Sequence, residues 1–265
     1  MKGRTLLFAL FAGALAAGAV AVAGRLLAAG RPDELRVALV WGLPAVLFLG
    51  GHFLFRGAAP APAPVRAPRR ALLWLAAAVA GELLPLGLAL VAGWATLAEG
   101  DSALSTHRGS TLIWSLPLLL FVGYRFWERT LRGQLYEQAA AGLGERAAWS
   151  LAVVIGSLLA LPAIAPGLAS PGRAYLVAAL LLTVSREALA TALYRGCGLL
   201  GAGLYRGLFA CLDGYLLNDW LAPVVPGTTY LVASDAVRFL RVAGPAAVAL
   251  LLVRALRRPP ATPGA

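Results

Sequence analysis

ALLWLAAAVAGELLPLGLALVAGWATLA, residues 71–98, carries one charged side chain, Glu82, in 28 residues. A helix needs about 20 apolar residues to cross the ~30 Å hydrocarbon core of a bilayer, so this run is long enough to span. Its apolar residues are continuous rather than alternating, which selects a helix over a barrel strand. No third spanning form exists, because each backbone N–H and C=O inside a bilayer must be satisfied by the protein itself.

Seven further runs of the same kind flank it, at 5–24, 35–55, 111–127, 147–164, 174–194, 197–217 and 230–256. The expected fold class is therefore all-α, a polytopic membrane helix bundle of about eight transmembrane helices. Composition agrees: of 265 residues 60% are apolar and 13% charged, where a soluble domain is nearer half and a quarter. Those figures exclude an ordinary soluble enzyme, a disordered chain and a disulfide scaffold. Cys197 and Cys211 lie in apolar runs and read as small buried hydrophobes. The first run follows Lys2 and Arg4 and contains Ala21-Val22-Ala23. It reads as a cleaved signal peptide or a retained helix, and its length and the run that follows favour retention.

GAAPAPAPVRAP, residues 57–68, has the composition of a stiff polyproline spacer. The expected organisation is two helices in 1–56, a linker in 57–70, a six-helix core in 71–256 and a disordered tail in 257–265. The net charge of +11 comes from 22 Arg and Lys2 against 12 acids. In a membrane protein such charge sets topology, and no nucleic-acid partner is expected. With the N-terminus inside, the inner segments hold 14 basic residues and the outer loops five, Arg25, Arg31, Arg36, Arg108 and Arg173. Both termini are thus expected in the cytoplasm, with the chain in the plasma (inner) membrane and the lipid bilayer as its first partner.

Charge at membrane depth is costly and marks candidate sites. The apolar runs contain Glu82, Arg186, Glu187, Arg206, Asp213, Asp235, Arg238 and Arg241, and the fourth runs into Glu128 and Arg132. Glu128 and Arg132 stand at i,i+4 with the acid first, the favourable order for an ion pair. Thr183, Glu187, Thr191 and Tyr194 form one polar stripe. Arg206 and Asp213, seven apart, face the same way, and Asp235 and Arg238 can pair within one helix. Glu82 has no counter-charge nearby in sequence, so it is either protonated in place or paired with a cation from another span. The run GCGLLGAG, residues 196–203, has small-xxx-small spacing, which suits close helix packing better than phosphate binding. Walker A, His-Glu-x-x-His, Cys-x-x-Cys and Gly-x-Ser-x-Gly motifs are absent. Neither His52 nor His107 has a ligand-spaced neighbour, so no metal and no cofactor are expected.

The stretch FWERTLRGQLYEQAAAGLGERAAWSLAVVIGSLLALP, residues 126–162, resembles the CAAX-protease and bacteriocin-processing (CPBP) family of intramembrane endopeptidases. That family carries Glu-Glu-x-x-x-Arg, usually followed by Gly, at the end of a spanning helix, then a short amphipathic helix and a further apolar one. Here Glu128, Arg132 and Gly133 match the second Glu, the Arg and the Gly, and Leu143-Gly144 falls where the family often turns. The likeness covers roughly residues 111–217. Trp127 stands at the first Glu, Ala160 and Ile164 at the family's Phe and His, and Arg206 near the His of the last core helix, within 205–213.

The resemblance implies an intramembrane peptidase, or a degenerate relative, acting on membrane-anchored, lipidated or prepeptide substrates. Glu128 and Arg132 are its candidate catalytic residues: a carboxylate in a dry pocket can activate water, and an Arg one turn on can hold a carboxylate ionised. His52, placed at the same membrane depth, is a candidate assistant to Glu128. Glu187, Arg206 and Asp213 are candidate substrate- or partner-facing residues. The alternatives are a non-catalytic scaffold that binds partners through the same cavity, and a small transporter or permease subunit.

Overall fold

A computed structural model describes residues 2–30, 38, 42–55, 71–99, 127–168, 173–211, 229–233 and 235–257. These are almost entirely helical. The helices are α1 (Lys2–Ala28), α2 (Leu43–Phe55), α3 (Ala71–Val91), α4 (Glu137–Leu143), α5 (Glu145–Leu168), α6 (Arg173–Cys211) and α7 (Asp235–Arg257). A π-helical segment, Arg129–Tyr136, leads directly into α4. Two short strands, β1 (Ala95–Glu99) and β2 (Thr229–Ala233), pair antiparallel in the register Ala95 to Ala233 through Glu99 to Thr229. The expected run at 111–127 lies outside the described residues except for Trp127, and the linker at 57–70 lies wholly outside them.

Among the described residues four helical stretches are long and apolar enough to cross a membrane: Gly3–Ala28, Ala71–Val91, Val177–Phe209, which is interrupted at Gly198, and Phe239–Leu256. Polarity is distributed inside out. Leu72 is 82% and Val91 90% exposed, whereas Glu128 and Arg132 are 0% exposed. Water would reverse that arrangement, and a hydrocarbon surround permits it.

Two expected boundaries move, and that of the run at 35–55 falls outside the described residues. The run at 71–98 does not remain helical to its end: α3 stops at Val91, and Gly93 adopts φ +70, a left-handed turn that leads into β1. The run at 230–256 starts as β2 and becomes helical only at Asp235. A two-stranded ribbon is thus added to an otherwise helical fold. Apolar composition alone does not separate a short buried strand from the end of a helix. The described helix of the second run is Leu43–Phe55, 13 residues.

The N-terminal helices are not packed apart from the rest. Phe8, Ala12 and Ala16 of α1 and Leu47 and Phe55 of α2 share one core with Trp127, Leu131, Leu135, Ile155 and Leu159. Residue 56 is therefore a break in composition and not in packing.

The chain reverses within α6. Gly198 has φ +73, a conformation that residues with a Cβ resist. Nineteen residues in a straight helix rise about 28 Å, yet Arg206 Nη2 lies 2.5 Å from Glu187 Oε1. The element is therefore a hairpin with a first arm, 173–197, and a second arm, 199–211. At its tip Gly201 lies so close to Cys197 that a Cβ on Gly201 would collide with it. This reversal falls close to where the sequence separates the runs 174–194 and 197–217, and within the glycine-rich stretch 196–203 Gly198 makes the turn, so its spacing to Ala202 does not lie on one helix.

Helices α3 and α7 cross at Gly81 and Gly244. Pro85 has no N–H to give to the carbonyl four residues earlier, which is that of Gly81. A Cβ on Gly244 would collide with that oxygen and approach Pro85 Cγ to 3.1 Å. We expect Gly244→Ala to cost about 1–3 kcal/mol by overpacking. Gly87→Ala on the same α3, where a Cβ meets nothing within 4 Å, should leave stability unchanged or raised. Thermal unfolding of the two variants in detergent checks the contrast.

Candidate functional site

Four buried charged side chains from three segments close into a ring. Glu128 ends the helical turn before the π-helical segment, and Arg132 lies within that segment. Glu187 comes from the first arm of α6 and Arg206 from the second. Arg132 Nη1 donates to Glu128 Oε1 at 2.9 Å and Arg132 Nη2 to Glu187 Oε2 at 2.5 Å. Arg206 Nε donates to Glu128 Oε1 at 2.6 Å and Arg206 Nη2 to Glu187 Oε1 at 2.5 Å. Two carboxylates and two guanidiniums sum to zero. None of the four residues is more than 3% exposed, so each charge depends on the others for the solvation that water would give.

Small and polar neighbours fix the ring. Arg132 Nη2 also meets the Glu187 carbonyl at 3.2 Å and Thr191 Oγ1 at 3.3 Å, while Thr191 Oγ1 donates to that carbonyl at 2.8 Å. Gly156 of α5 faces Glu187 so closely that a Cβ there would run into the carboxylate. The guanidinium of Arg206 lies 5.3 Å from the ring centroid of Trp127 and 5.7 Å from that of Phe209, within cation–π range. Glu128 Oε2, also buried, has no hydrogen-bond partner among the described residues.

A second cluster adjoins the first. Arg186 donates from Nε to Glu82 Oε1 at 2.9 Å and from Nη2 to Glu82 Oε2 at 2.7 Å, a bidentate pair. The Tyr205 hydroxyl donates to Glu82 Oε1 at 2.7 Å. Consecutive residues thus part company on each arm: Arg186 and Tyr205 turn to α3, Glu187 and Arg206 to the ring. Phe209 links the clusters, with Arg186 4.4 Å from its centroid. Towards the hairpin tip, Tyr194 donates to Glu137 Oε1 at 2.7 Å, and Arg195 pairs with Glu145 at the start of α5.

The candidate residues named from sequence divide accordingly. Glu128, Arg132, Glu187 and Arg206 meet. His52 does not join them: it is exposed on α2, and its ring meets Phe48 and Phe53. Its neighbour Gly51 is the residue that faces Thr130 and Gln134 of the π-helical segment. Shared depth placed His52 near Glu128, but the angle around the helix turns it outward. Asp213 lies outside the described residues, as do the side chains of Asp235 and Arg238. Glu82 is paired, through Arg186. Thr183 of the polar stripe bonds back to the Ala179 carbonyl instead of a neighbouring element. Tyr205, Phe209 and Gly156 were not singled out by sequence reasoning. The repeated pattern of two adjacent polar residues, 186–187 and 205–206, is the signal that could have found Tyr205.

Among the described residues no group of three His, Cys, Asp or Glu could hold a metal ion. Comparison of the chain with protein-family models, with curated proteins and with solved structures finds no match in any of the three.

Removing one member of a buried ion network leaves a charge without its partner. Arg132→Ala is therefore expected to cost about 3–5 kcal/mol. Tyr205→Phe, which deletes one hydrogen bond to a charged group, should cost about 1.5–3 kcal/mol. Unfolding free energies of the two variants check that order. Gly156→Ala, which pushes on the Glu187 carboxylate, should destabilise although Ala is the better helix former.

Proposed function

We propose that the chain is a membrane-embedded protein of CPBP-like architecture that binds membrane-anchored or prepeptide segments without cleaving them. The observation that carries this reading is the contact between Trp127 and Arg206. Both stand where the family resemblance places catalytic groups, a Glu and a His. Here an aromatic face and a guanidinium pack against one another, and the guanidinium neutralises both carboxylates of the ring. Glu128 Oε1 already accepts from both guanidiniums, so that oxygen has no lone pair left for a water. The chain spans the plasma membrane about eight times, with both termini cytoplasmic. Support for that count comes from α1, α2, α3, α5, the two arms of α6, α7 and the apolar run at 111–127.

A second reading, an intramembrane glutamic peptidase, is favoured by one atom. Glu128 Oε2 is buried and unpartnered among the described residues, so it retains a lone pair for the proton of an attacking water.

Incubation of the protein in lipid nanodiscs with a prenylated C-terminal peptide and with a prepeptide panel, followed by mass spectrometry, decides between them. We expect no cleavage above the level of Glu128→Gln. Turnover by the unaltered protein, lost in a folded Glu128→Gln variant, would sink the binding reading and establish the second.

A further inference from the structure

The ring contains one member that differs from the other three. Arg132 joins Glu128 within its own segment, and Glu187 rests on Thr191 and Arg132. Arg206 comes from the second arm of α6, which leaves the first arm at Gly198, the one residue inside α6 with non-helical backbone angles. That arm packs on the bundle through Ala202 and Tyr205, each in a buried core, and its polar contacts are Tyr205 on Glu82 and Arg206 on the ring.

Without Arg206, the remaining three groups are Glu128, Glu187 and Arg132, two negative charges and one positive. The net charge of the site becomes −1. Its acceptors are the two Oε1 atoms that receive Arg206, from Nε on one carboxylate and from Nη2 on the other. Nε and Nη2 form one edge of a planar guanidinium, so the two oxygens are spaced for that edge. Trp127 and Phe209 supply aromatic rings beside it. Glu128 Oε2 offers an additional buried acceptor. A compact ammonium presents its donors tetrahedrally and cannot match a planar two-oxygen edge between aromatic rings as a guanidinium does.

We propose that Glu128, Glu187, Arg132 and Trp127 form a guanidinium-binding site that is filled in this conformation by the chain's own Arg206, carried on a hinged arm, and that an arginine on a bound membrane segment takes its place. The proposal rests on the binding reading above and names the chemistry recognised there. Arg206 then acts as an internal occupant that keeps the carboxylates neutral while no partner is present. The left-handed glycine at the hinge joins the two arms without a continuous helix between them, and the two polar contacts of the second arm sit on consecutive residues.

Chemical rescue tests it. Arg206→Ala and Arg206→Gln are purified, and their thermal unfolding is followed against rising methylguanidinium chloride, well below denaturing concentrations. Methylammonium chloride and sodium chloride at equal ionic strength serve as comparators. We expect a saturable rise in Tm with methylguanidinium alone, in both variants. The rise should be absent in the unaltered protein, whose site is filled, and absent when Glu187→Gln is added to either variant. Equal shifts with all three salts, no saturable shift, or failure to recover either variant with methylguanidinium present throughout purification would each overturn the proposal. The peptide assay separates the two ideas: cleavage by the unaltered protein removes the binding reading itself, whereas absent rescue together with absent cleavage removes only the guanidinium site.

Discussion

A charge removed from water must find its solvation in the protein, and in this molecule that requirement organises the interior. Glu128, Arg132, Glu187 and Arg206 each contact two opposite charges, so no member can leave without stranding the rest. The ring determines how close the π-helical segment and the two arms of α6 must come. Gly156 is a consequence of that closeness, since a larger residue would displace the Glu187 carboxylate. The π-helical geometry of Arg129–Tyr136 belongs to the same constraint: wider turns of this kind recur at functional sites, and here the segment delivers Arg132.

The second cluster extends the constraint to α3. Glu82 is held by Arg186 on one arm and Tyr205 on the other, so a single carboxylate ties α3 to both halves of the hairpin. Phe209 lies within cation–π reach of Arg186 and Arg206, one guanidinium from each cluster.

Some of this was legible in the sequence, for identifiable reasons. The Glu128–Arg132 pair follows from helical spacing alone, and the chain reverses close to the division between the runs at 174–194 and 197–217. The convergence of Glu187 on Arg206 does not follow, because it depends on how the arms pack after that reversal. The partner of Glu82 lies 104 residues away and leaves no trace in local pattern. His52 shows the limit of depth as a guide: a residue at the right height can still point the wrong way around its helix. The end of α3 at Val91 was hidden because no hydroxyl or charged side chain falls between Glu82 and Thr96, so the apolar run continues past the turn.

The division of the ring into halves bears on how the chain enters a bilayer. Glu128 and Arg132 sit four residues apart on one segment, and Glu187 and Arg206 sit on the two arms of one hairpin. Each half is electrically neutral before it meets the other. A translocating segment therefore presents a closed dipole to the lipid instead of a bare ion, and the hairpin can be inserted as a unit, zipped by its own salt bridge. Assembly of the ring then joins two already neutral pieces, so the steep cost of moving a lone charge into hydrocarbon is avoided at those residues during biogenesis.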